Sequence, residues 1–108
     1  MKVYIAGKIT GNPNYKYKFQ EAEQALKWEG HLVLNPADLP QGMSNADYMR
    51  ICFAMIDAAN VVAFLPGWEE SKGASLEHAY CQYISKQTMY LADLTSYQNI
   101  VNPVNYGF

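Results

Sequence analysis

Short, wholly apolar runs alternate along this chain with longer stretches whose apolar residues recur every three or four positions. Lys2-Val3-Tyr4-Ile5-Ala6 is β-branched and aromatic and closes at Gly7, the pattern of a buried strand entering a tight turn. After the turn Gly7–Pro13, Phe19, Ala22 and Leu26 with neighbouring Ala25 keep helical spacing up to Gly30, a good residue just past a helix end. This predicts a helix over Asn14–Glu29. His31–Asn35 reads as a second buried strand, stopped by Pro36, which cannot continue a ladder; a loop rich in Pro, Gly and Asp runs on to Met43. Ser44-Asn45-Ala46-Asp47 has the Ser-x-x-acid form of a helix start, and Met49, Cys52, Phe53 and Ile56 share one face of a helix over Asn45–Ala59. Val61–Leu65 is apolar at every position, as expected of a central parallel strand covered on both faces. A third helix is predicted over Lys72–Ser85 and a fourth strand over Thr88–Leu91, while residues 92–108 form a C-terminal tail without an assignable pattern.

Strands alternating with helices through short loops imply right-handed crossovers, and so an α/β fold: a small doubly wound parallel sheet, flavodoxin-like or Rossmann-like, with helices on both faces. With 108 residues the chain reads as one domain over 1–108. In such sheets ligands sit beyond the carboxyl ends of the strands, here the segments after Ala6, Asn35 and Leu65. Composition narrows the partners. Half the residues are hydrophobic and 17% are charged, enough for a core and against intrinsic disorder. A net charge of −2 without a basic run removes the electrostatic footprint of a duplex-binding protein and leaves small nucleotides open. The longest apolar runs are too short to cross a bilayer and the N-terminus lacks a secretory signal pattern, so the expectation is a cytoplasmic protein without a membrane partner. Cys52 and Cys81 have no CxxC or histidine partner at ligand spacing and read as reduced, packed thiols; neither a metal site nor a cofactor is expected.

Two of the strand-end loops, Gly7-Lys8-Ile9-Thr10-Gly11 and Ser71-Lys72-Gly73-Ala74, carry glycines and hydroxyls ahead of a helix. Free N–H groups and the positive end of the helix dipole would hold an anion there, with Lys8, Thr10, Ser71 and Lys72 as added donors; the plainer alternative is that the glycines only make turns. Neither GxGxxG nor GxxxxGK[ST] occurs, which disfavours ATP-type binding. Glu77 stands out on a helix otherwise uncharged between Lys72 and Lys86 apart from His78. With Ser71 as N-cap it shares a face with Gly73, Ala74 and Tyr80 or Cys81, and would point at the mouth beside the anion site. A glutamate there is either a solvated helix carboxylate or a group able to attack a sugar anomeric carbon through a covalent ester. Trp68 and Tyr4 could stack a planar base, or each could be core. His78 faces about 100° away from Glu77 and reads as a surface or packed histidine. His31 carries no partner pattern; Glu69 and Glu70 read as a charged loop, Asp47 as a helix-start residue and Asp57 as a late-helix surface acid.

Taken together, Val3-Tyr4-Ile5-Ala6-Gly7-Lys8-Ile9-Thr10-Gly11, Asn35-Pro36 and Leu65-Pro66-Gly67-Trp68-Glu69-Glu70-Ser71-Lys72-Gly73-Ala74-Ser75-Leu76-Glu77 resemble the nucleoside 2-deoxyribosyltransferase-like superfamily, most of all its small phage and prophage members. The resemblance covers about Lys2 to Gln87 and implies a flavodoxin-like homodimer in the cytoplasm of a bacterial or phage-infected cell. Its activity would be to cleave or exchange the base of a (deoxy)nucleoside or its 5′-monophosphate. It makes Glu77, four residues after Gly73, the nucleophile. Six residues earlier, the transferases on free nucleosides have an aspartate and the deoxynucleoside 5′-monophosphate hydrolases a phosphate-contacting serine. Ser71 stands there, and a hydroxyl at a helix start donates to a phosphate that a carboxylate would repel. Tyr4, Gly7, Lys8 and Ile9 would line the sugar and phosphate pocket, with Asn35, Trp68 and Gly73 as further substrate contacts. The family's second acid, in the second helix, falls on Cys52, which cannot replace a carboxylate at neutral pH without a strongly shifted pKa. Asp47, Glu69 and Glu70 are the candidate replacements. Two other functions stay open at this point: a non-catalytic nucleotide-binding or sensing module using the same pocket, and a protein-interaction domain with a vestigial pocket and a docking tail.

Overall fold

The structure, a computed structural model, describes residues 1–92. Its elements are β1 (Lys2–Ala6), α1 (Tyr15–Trp28), β2 (Leu32–Leu34), α2 (Asn45–Ala58), β3 (Val61–Phe64), α3 (Lys72–Tyr83) and β4 (Gln87–Tyr90). Single 3-10 turns, Pro36–Asp38 and Trp68–Glu70, follow β2 and β3. All strand pairs are parallel, in the order β2-β1-β3-β4, with Val3 opposite both Val33 and Val61, and Val61 opposite Gln87.

Because strand side chains alternate between faces, two apolar layers form. Val3, Ile5, Val61 and Ala63 meet Phe19, Ala22 and Leu26 of α1 on one face. Tyr4, Ala6, Val62 and Phe64 meet Cys52 and Ile56 of α2 and Cys81 of α3 on the other. The chain is therefore the doubly wound α/β sheet expected. β1 sends its helix to one face and its neighbour β3 sends its helix to the other, so a crevice opens between them at their carboxyl ends, where open sheets bind ligands.

The elements differ from the sequence reading at their ends. β2 is a three-residue edge strand with Leu32 70% exposed, not a buried strand, because it pairs with β1 alone. α3 stops at Tyr83, two residues early: Ser85 takes φ +58°, and the Lys86 N–H bonds the Cys81 carbonyl at 2.8 Å, closing the helix end. Leu91 lies beyond β4 and is buried against the α1 layer. The tail, apart from Ala92, lies outside the described residues.

Gly7 serves packing more than turning. A Cβ there would meet Leu65 Cβ at 3.1 Å and Phe19 Cζ at 3.2 Å, so the missing side chain lets the β1 exit, the β3 exit and α1 close together. Gly30, at φ +91°, takes the left-handed position after α1 that its place in the sequence predicts.

Candidate functional site

The start of α3 is built by Ser71. Its Oγ accepts from the Ala74 N–H at 3.1 Å, leaving its own proton free to donate. The N–H groups of Lys72 and Gly73 have no acceptor among the described residues. Lys8 reaches this end from the loop after β1, with Nζ 3.7 Å from Oε2 of Glu70, the residue before the cap. Gly73 leaves a notch in the first turn: a Cβ there would lie 3.4 Å from the Met49 ε-methyl and 3.9 Å from Ser71 Oγ. Glu77 lies one turn on, on the same face of α3.

Glu77 does not stand open at a mouth shared with Ser71. It is 4% exposed and turned onto the sheet, where Oε2 accepts the Tyr4 hydroxyl proton. The reason is how α3 packs on the sheet. α3 presents Ala74 and Cys81 to the sheet, and β1 presents a phenol at an inward position of an otherwise apolar strand, giving the carboxyl a buried donor. Tyr4 itself is 1% exposed, which selects the core alternative over base stacking. The Cys52 thiol is the other donor that faces this carboxyl.

Burial pushes the Glu77 carboxyl up to about 7, against the opposing pull of the Tyr4 hydroxyl and the Cys52 thiol. Burial and the Glu77 charge push the Tyr4 phenol well above its ordinary range. Cys52, where the resemblance to the nucleoside 2-deoxyribosyltransferase-like superfamily would put a second acid, lies beside both; burial raises its thiol to about 11, so it is neutral near pH 7 and no substitute for a carboxylate. The candidate replacement acids lie elsewhere. Asp47 pairs with Arg50 at 3.2 Å at the start of α2, Glu69 is exposed with only its carbonyl engaged, by Ser75, and Glu70 faces Lys8.

Other sequence candidates have partners of their own. Trp68 stacks on His78 at 4.2 Å and 22° and packs on Phe64 at 5.1 Å, while His78 Nε2 lies 2.7 Å from the Tyr90 hydroxyl. Neighbouring positions on a helix diverge by about 100°, so His78 and Trp68 build an aromatic group over the ends of β3 and β4, whereas Glu77 faces β1. That group was not legible from spacing, because its members come from four separate segments. Asn35 is buried, with Oδ1 accepting the Ala37 N–H at 2.9 Å and Nδ2 donating to Glu23 at 2.8 Å; both ends of its amide are engaged in shaping the turn after β2. Ile9 packs on the α1 layer. A depression of about 430 Å³ lined by Glu69, Glu70, Ser71, Lys72, Ser75 and Leu76 lies outside the α3 start and does not reach Glu77.

Among the described residues no cluster of His, Cys, Asp and Glu is placed to hold a metal, and no helix is long and apolar enough to cross a membrane.

A family described as a domain of unknown function, DUF4406, matches residues 1–90. No curated protein matches the chain in sequence. Among solved structures, a 2-deoxyribosyltransferase from Bacillus psychrosaccharolyticus superposes with a TM-score of 0.66 at 18% identity, over 88% of this chain and 79% of that one. A 2-deoxyribosyltransferase from Leishmania mexicana superposes with a TM-score of 0.65 at 21% identity, over 83% of this chain and 63% of that one, so this chain spans under two thirds of its length. At these identities the likeness establishes a nucleoside 2-deoxyribosyltransferase-like fold.

Proposed function

The chain belongs to the DUF4406 family, and from that premise we propose that it cleaves or exchanges the N-glycosidic bond of a (deoxy)nucleoside 5′-monophosphate with Glu77 as nucleophile. One observation carries this reading: a carboxyl on α3 held by the buried Tyr4 phenol, one helical turn after a helix start whose first N–H groups are free. The fold shared with 2-deoxyribosyltransferases supports it.

In the proposed reaction the oxygen of ionised Glu77 that does not accept from Tyr4 attacks C1′ as the C1′–N bond breaks, and the bonding pair leaves with the base, which takes up a proton. Water, or a second base, then attacks C1′ and releases the carboxylate. Tyr4 fixes the carboxyl's orientation and stabilises its charge until bond formation. No side chain beside Glu77 is assigned as general acid, Cys52 being a weak acid at about 11, and the departing base is protonated from solvent in this scheme. The 5′-phosphate is assigned to the Ser71 hydroxyl, the free N–H groups of Lys72 and Gly73, and Lys8, a cationic and dipolar setting suited to a dianion.

Chromatography of each common deoxynucleoside 5′-monophosphate after incubation with the protein tests the reading. Free base is expected with wild type and none above background with Glu77→Gln; equal release by both sinks the mechanism. A second reading, nucleotide binding without turnover, is favoured by Cys52 at the second-acid position and by the low exposure of Glu77. It would show as thermal stabilisation by a nucleotide, roughly 2.7 kcal/mol at about 100 times Kd, with no base released. Light scattering tests the homodimer that the resemblance implies.

A further inference from the structure

The Lys8–Glu70 contact joins the loops that leave β1 and β3, so it spans the crevice where the two crossovers part. The cation is partly withdrawn from water, its side chain 35% exposed, while Glu70 is 75% exposed and free to swing. Glu70 directly precedes Ser71, whose cap opens the positive end of α3. Lys8 and the α3 dipole both favour a negative group at this point, and the carboxylate of the chain's own Glu70 supplies it. A ligand phosphate entering the same place would meet a lysine already neutralised. It would gain fully from Lys8 only by displacing Glu70 into solvent, where a carboxylate is well hydrated.

Resting on the reading above, we propose that Glu70 is a built-in stand-in for the substrate's 5′-phosphate: it occupies Lys8 in the free protein, and the phosphate takes its place. Glu70 is then a specificity-setting residue. It weakens the binding of phosphorylated ligands by the strength of one exposed ion pair and leaves unphosphorylated nucleosides without a means of opening the Lys8 contact.

The experiment measures binding of the four deoxynucleoside 5′-monophosphates and the four free deoxynucleosides, by calorimetry, to wild type, Glu70→Gln, Lys8→Met and the double variant. Both side chains are at the surface, and far-ultraviolet circular dichroism verifies that each variant is folded. In Glu70→Gln the preference for monophosphate over nucleoside is expected to rise about 1.4- to fivefold at low salt, the range measured for exposed pairs, and to shrink at high salt. In the Lys8→Met background the same change should raise it by less than half as much. Equal gains in both backgrounds would show plain charge repulsion and overturn the proposal, as would no gain in either. Wild type that binds monophosphates while Glu70→Gln changes nothing removes this inference alone; binding of no nucleotide or nucleoside by any form removes the parent reading with it.

Discussion

A buried carboxylate is costly unless charge and hydrogen bonds compensate, and Glu77 has a single strong donor, Tyr4. Its folded-state pKa of about 7 lies above that of an exposed glutamate, so between pH 4.5 and 7 the unfolded chain releases this proton and the folded chain keeps it. Stability from this group is therefore full below about pH 4.5 and falls as pH rises to 7. Glu77→Gln is expected to be more stable than wild type by an amount that grows over that interval and approaches about 3 kcal/mol above pH 7, read from chemical denaturation at pH 4 and pH 8. Activity has the opposite slope. Only the ionised carboxyl attacks, so kcat/KM should drop about tenfold per pH unit below 7 and level off above it. Tyr4→Phe removes the donor that holds the carboxyl down and leaves a buried oxygen unpaired; the activity midpoint should move above 7 and stability fall by about 1–3 kcal/mol. A midpoint unchanged in Tyr4→Phe would mean that the phenol does not govern the Glu77 proton.

Two glycines, Gly7 at the exit of β1 and Gly73 in the first turn of α3, have opposite meanings for the packing around them. At Gly7 a methyl group would press on Leu65 Cβ and the Phe19 ring, neither free to withdraw without parting β1, β3 and α1. Gly7→Ala should cost about 1–3 kcal/mol, visible in a thermal melt. At Gly73 the nearest obstacle is the flexible end of Met49 at 3.4 Å, so Gly73→Ala should fold at least as well, gaining about 0.5 kcal/mol from reduced backbone freedom. It would also fill the notch one turn before Glu77, and base release should fall well below wild type in a protein of unimpaired stability. Sequence marks both positions as turn glycines. The distinction lies in what stands opposite each of them, and those atoms come from distant segments.

Across the whole molecule, protection should follow strand position. β3 pairs on both sides and all four of its residues are buried, whereas β2 is a short edge. Amide hydrogen exchange is expected to be slowest at Val61–Phe64 and much faster at Leu32–Leu34; comparable rates would contradict the sheet order. The alternation of apolar runs with helical periodicity already specified the parallel sheet, its helices, their buried faces at Phe19, Ala22, Leu26, Cys52 and Ile56, and the Ser71 cap, because these depend on local period and on backbone groups close in sequence. Glu77 was legible too, as an isolated charge on an uncharged helix. Its inward turn, the Tyr4 hydroxyl that receives it, the separation of Trp68 into an aromatic group with His78, and the Lys8–Glu70 contact across the crevice were not. Each depends on which side chains the crossovers bring together and on how much water the packing leaves between them, and only the assembled sheet and helices decide that.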